Sequence, residues 1–134
     1  MISNTLKDQA TRVLYDSFIK AVASRIGRGT REAHQFVIGE APGRLSTTLV
    51  NTARLAIVDI LKSRTVYRAF PFVLKMDATQ FASIQDKAVA DAMKLFDENN
   101  KAGLPKSTEK TVGEIFMSGV KAMLDAVANI ENNS

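Results

Sequence analysis

Few residues of this chain could do chemistry, and His34 is the first to weigh. It is the only imidazole among 134 residues and lies in "REAHQFVIGE" between Glu32 and Glu40. General acid–base work needs a partner held against the proton it moves, and this segment identifies none. Ser46, Thr47 and Thr48 form a hydroxyl cluster without a base to activate it, so they read as hydrogen-bonding residues on an extended chain. The carboxylates Asp91, Asp97, Glu98 and Glu114 lack the spacing of a calcium loop. "GRGTRE" begins as Gly-x-Gly, but Glu32 stands where the third glycine of a dinucleotide fingerprint belongs. The chain has no Cys, which excludes disulfides, thiolate nucleophiles and thiolate metal sites. The expectation is a protein that is not an enzyme, with no cofactor, no metal and no small-molecule substrate.

What has functional colour is basic. Arg25, Arg28 and Arg31 recur at three-residue spacing around Gly27 and Gly29, an arrangement that reads most simply as a solvated turn. In "KSRTVYRAFPFVLKM", Arg64, Arg68 and Lys75 alternate with Tyr67 and Phe70, pairing phosphate donors with surfaces on which unpaired bases stack. The net charge of +4 conceals an asymmetry. Residues 1–76 hold 12 Lys+Arg against 5 Asp+Glu, and residues 77–134 hold 6 against 9. All eight Arg lie in the first part. Arg forks onto phosphate in a way Lys does not, so a phosphate-facing first part is one reading and an unevenly charged surface the other.

The elements that must position these residues read as follows. A chain of this length forms one domain that buries about two thirds of the surface its unfolded form exposes. It shows no secretory h-region and no apolar run near the roughly 20 residues of a membrane span, so a soluble protein is expected. "IGRGT", "GEAPGR" and "ENNKAGLPKS" are turn signals. From Thr108 on, Val112, Phe116, Gly119, Met123, Ala126 and Ile130 recur at helical spacing, widened by Ile115, Val120, Leu124 and Val127. So wide a face must pack onto the rest of the chain or onto a second copy. Ser107 or Thr108 can cap that helix. Asp77 looks like the cap of another, with Gln80 at the box position and Met76 and Phe81 as a staple. Residues 11–22, 44–63 and 87–99 fit helix and strand alike, whereas Pro71 and its aromatic neighbours favour a strand over 65–76.

The order of segments resembles the coat proteins of single-stranded RNA bacteriophages. "NTLKDQATRVLYDSF" looks like that family's N-terminal hairpin, and "GEAPGRLSTTLVNTA" resembles its Pro/Arg-led strand. "SRTVYRAFPFVLKM" is similar to the long strand that follows, and "STEKTVGEIFMSGVKAMLDAVANIEN" to the C-terminal helical segment. The resemblance implies an α+β fold over residues 1–134, with a hairpin region at 1–30, an antiparallel sheet at 31–100 and a helical dimerisation segment at 107–131. The helices would interlock with a partner through Val112, Phe116, Val120, Met123, Leu124 and Val127. Arg44, Ser46 and Thr48, then Arg64 and Arg68, then Lys94, would point from successive strands to RNA. The function implied is a shell-forming virion protein, assembled in the host cytoplasm. It would form a homodimer, build an icosahedral particle, bind single-stranded RNA and repress translation through an RNA hairpin. No membrane enters that picture.

A second arrangement follows from periodicity alone: residues 5–26, 46–62, 78–98 and 108–130 as four helices of a bundle. That chain would be a non-enzymatic oligomerising adaptor or regulator.

Overall fold

A computed structural model describes residues 4–66, 76–99 and 109–132. Its elements are α1 (Asn4–Ile26), α2 (Thr30–Gly39), a 3-10 turn (Pro42–Arg44), α3 (Thr47–Leu61), α4 (Ala78–Asn99) and α5 (Val112–Asn132). Among the described residues there is no strand, and the fold is all-α. This overturns the expected α+β fold with its antiparallel sheet and N-terminal hairpin. Residues 11–22 lie inside α1, most of 44–63 forms α3, and 87–99 completes α4. The rest of the strand expected over 65–76, with Arg68, lies almost wholly outside the described residues.

The physical reason is visible in the core. Leu14, Phe18 and Val22 line one side of α1, and Ala53, Ile57, Ile60 and Leu61 one side of α3, all buried. These sets recur every three to four residues, so only helices gather them on one face. The Val, Ile and Thr content that favoured strands is a weak preference, easily overridden by packing.

Each helix carries its own start or stop. α1 ends at Gly27, whose φ of 66° lets the Arg28 N–H reach back to the Ala23 carbonyl at 3.1 Å. The Ser46 hydroxyl accepts from the Leu49 N–H at 3.3 Å and opens α3. The Asp77 carboxylate accepts from the N–H groups of Thr79 (2.7 Å) and Gln80 (3.3 Å) and opens α4, with Phe81 buried behind it. The opening of α5 is set by Thr111, not by Ser107 or Thr108, which lie outside the described residues. The Glu114 N–H donates to the Thr111 hydroxyl at 3.1 Å, while the Thr111 hydroxyl and N–H turn toward the Glu114 carboxylate.

Packing assigns the wide apolar face of the last helix. α5 touches each of the other four helices, so it needs apolar side chains over most of its circumference. Phe116 stacks on Phe18 of α1, ring centres 4.2 Å apart and planes 16° off parallel. Gly119 lets α5 lie against α3, because a Cβ there would sit 2.7 Å from a terminal methyl of the buried Leu61. Gly113 does the same against α2, where a Cβ would meet Val37 at 2.9 Å. The cost of two helical glycines is offset by these close approaches.

The bundle's directions follow from its contacts. Tyr15 of α1 meets the His34 ring of α2 edge-on at 6.0 Å, so α2 folds back along α1. Arg54 pairs with Asp97, and Lys62 with Asp86, which makes α3 and α4 antiparallel. Arg25 in the last turn of α1 pairs with Asp59 near the end of α3. The α1–α2 turn, the end of α3 and the early turns of α4 therefore share one end of the bundle.

Candidate nucleic-acid interface

The residues expected to share an RNA-facing sheet do not share a face. Arg44 sits in the 3-10 turn and pairs with Glu109 at 3.1 Å. The Ser46 hydroxyl is taken up by capping α3, and Thr48 is exposed in that helix's first turn. Arg64 is exposed beyond the opposite end of the same helix, whose 15 residues separate it from Arg44 by roughly 20 Å or more. Lys94 is exposed on α4, and Arg68 lies outside the described residues. Strand alternation, the ground on which these six were grouped, is absent where the chain is helical.

The six side chains expected at a dimer interface have another place as well. Val112, Phe116, Val120 and Met123 have no exposed surface, Val127 keeps 1% and Leu124 7%. They form the chain's own core, packed by α1 to α4. A partner could reach them only if the bundle opened.

A different set of cations lies at the end where α1 turns into α2. Five basic side chains are engaged, whereas Arg12, Lys87, Lys94 and Lys110, away from this end, make no ion pair among the described residues. Arg25 pairs with Asp59, Arg44 with Glu109, Lys62 with Asp86 and Lys121 with Asp125. Arg54 is held by Asp97 at 2.6 Å and lies over the Phe96 ring, 5.1 Å from its centre. Arg28, Arg31 and Arg64 are exposed and make no ion pair among the described residues. Lys20 is in the same state, one to two turns down α1.

Local sequence explains the placement. Gly27 stops α1 and Gly29 precedes α2, so the chain reverses within a few residues and brings Arg28 and Arg31 to the outside of the bend. Gly29 offers no side chain to the first N–H groups of α2, so the positive end of that helix dipole lies beside the two guanidiniums. Glu32 opposes them, its carboxylate folded toward Gly29. Below the bend, Lys20, Arg31, His34 and Thr30 line a groove of about 420 Å³ between α1 and α2, with Asp16 as its acid. Ordinary surface ion pairs such as Lys62–Asp86 at 3.2 Å are worth little, so their cations can exchange carboxylate for phosphate at small cost.

Arg28 and Arg31 belong to the three-spaced arginine run that reads most simply as a solvated turn, and Lys20 carries no signal of its own in sequence. The Arg28–Arg31–Arg64 grouping joins residues more than thirty positions apart, which no local spacing reveals. Among the described residues no His, Cys, Asp or Glu cluster could hold a metal ion, and no helix is long and apolar enough to cross a membrane. Compared with known proteins, the chain matches no protein-family model, no curated protein sequence and no solved structure.

Proposed function

We propose that this chain is a non-enzymatic helical adaptor that binds single-stranded RNA through the basic end of its bundle. One observation carries the reading: Arg28, Arg31 and Arg64 lie at that end, exposed and without carboxylate partners among the described residues, while Arg25, Arg44 and Arg54 are paired. Guanidiniums in that state meet phosphate with two parallel hydrogen bonds and release the counterions condensed on the strand. Lys20 extends the track along α1, and the free N–H groups of α2 add donors of the kind that seat phosphate. Nothing in this binding requires a catalytic group.

A helical subunit does not decide between a free adaptor and a component of an RNA-packaging shell. The shell reading keeps its support in the basic first half of the chain, but the sheet and helix interlock that described it have no counterpart among the described residues. Size-exclusion chromatography with negative-stain microscopy separates the two, since uniform particles favour the shell and a small species favours the adaptor.

The direct test is fluorescence anisotropy with labelled single-stranded RNA across a salt series. Replacing Arg28, Arg31 and Arg64 together by Ala is expected to weaken binding and flatten the salt slope by about 2, from roughly 0.7 for each phosphate contact. Lys94→Ala, on the side of α4, is expected to leave both unchanged. An unaltered slope in the triple variant would remove the basic end from the interface.

A further inference from the structure

Toward the opposite end of the bundle lies a surface of another kind. Tyr15 of α1, Ile38 in the last turn of α2 and Met117 of α5 line an open groove of about 550 Å³. Ile38 is 51% exposed, the most exposed large apolar side chain among the described residues. Val37 beside it is fully buried against Gly113, so α2 is anchored and Ile38 is presented on a firm wall. Burial, and secondarily the charge of Asp16, pushes the Tyr15 hydroxyl's pKa above its ordinary value, leaving it a neutral donor. That hydroxyl makes no hydrogen bond among the described residues.

The rim is charged, with Lys110 and Lys121 on it and Glu114 as its acid. Lys110 is held by its backbone: its carbonyl accepts from the Asn99 amide at 2.5 Å, and its N–H donates to the Asn99 oxygen at 3.4 Å. Its amine has no ion pair among the described residues. Lys121 touches Asp125 at 3.4 Å, an exposed pair one turn apart that contributes a few tenths of a kcal/mol at most. Glu114, the acid of the groove, is already engaged by Thr111 in the cap of α5. Lys110 lies two residues ahead of α5 and Lys121 within it, eleven positions further on.

We infer that this groove docks an acidic amphipathic helix of a partner protein, which seats an apolar side chain between Tyr15, Ile38 and Met117 and sets carboxylates on Lys110 and Lys121. An amphipathic helix that lays its apolar face into a hydrophobic groove is the pattern of helix-in-groove recognition. A lipid surface fits less well, because a membrane-binding element presents a convex apolar face and here the apolar side chains line a hollow.

The test uses the full chain and a fluorescein-labelled helical peptide of Glu and Leu, beside its counterpart with Lys for Glu. The Glu/Leu peptide is expected to bind saturably by anisotropy and the Lys/Leu peptide to stay free. Ile38→Asp, and separately Lys110→Glu with Lys121→Glu, should each weaken binding about tenfold or more. Both variants should keep the wild-type circular dichroism melt, because Ile38 and Lys121 are exposed and Lys110 is only half-buried. The Arg28/Arg31/Arg64 triple variant should bind the peptide as wild type does, which separates this groove from the RNA reading. Absence of saturable binding, equal affinity for both peptides, indifference to the Ile38 change, or tighter binding to phosphatidylserine vesicles than to the peptide would each overturn the inference.

Discussion

The last helix is conspicuous in the sequence and the basic end of the bundle is not, and the structure treats them oppositely. α5 has a wide apolar face, the usual mark of an oligomer interface, yet every residue expected there is enclosed by α1 to α4. The α1–α2 bend looks like an ordinary solvated turn, yet it leaves guanidiniums unpaired beside the start of a helix. An apolar stripe states that burial is required without stating against what. An exposed charge acquires meaning only when its neighbours are known, because a carboxylate nearby can neutralise it.

The sharpest way to break this contrast is to cut into α5. Phe116→Ala removes the ring stacked on Phe18 and should lower stability by about 3–5 kcal/mol, read from urea unfolding. Were Phe116 instead at an interface between copies, the loss would appear as dissociation with the monomer's melt unchanged. Gly119→Val forces two methyl groups into the space of Leu61 and should destabilise by about 1–3 kcal/mol. Asp77→Ala leaves the first turn of α4 without its acceptor and should cost about 1 kcal/mol, seen in the thermal midpoint. The Arg28/Arg31/Arg64 triple variant should move stability by no more than about 0.5 kcal/mol. Its effect belongs in the RNA salt slope. A large destabilisation there would mean that these arginines support the fold, and the contrast would fail.

How much was legible can be followed through particular residues. Asp77 as a cap, with Phe81 behind it, could be read directly because capping is a contact between residues two and three positions apart. The bundle arrangement of residues 5–26, 46–62, 78–98 and 108–130 lies close to α1, α3, α4 and α5. It omitted α2, where Ala33 and Val37 supply only two buried positions in ten residues, too few for periodicity to announce a helix. The strand reading of 44–63 failed because β-branched residues record fit to a half-buried surface, and the interior of a bundle accepts them equally well. The grouping of Arg44, Ser46, Thr48, Arg64 and Lys94 failed with it, since a period of two places side chains together only in extended chain.

Sequence by itself sufficed for much that depends on neighbours along the chain: the turn at Gly27 that ends α1, the cap of α4, the basic first half, and the demand that the last helix bury a broad face. Folding in three dimensions was needed to assign that face to the chain's own helices, to pair Arg25 with Asp59 and Arg54 with Asp97, and so to leave Arg28, Arg31 and Arg64 unpaired together. Caps and periodicities are local and leave a mark at fixed spacing. Partner choice among side chains thirty or more residues apart is set by how whole helices pack, and it leaves none.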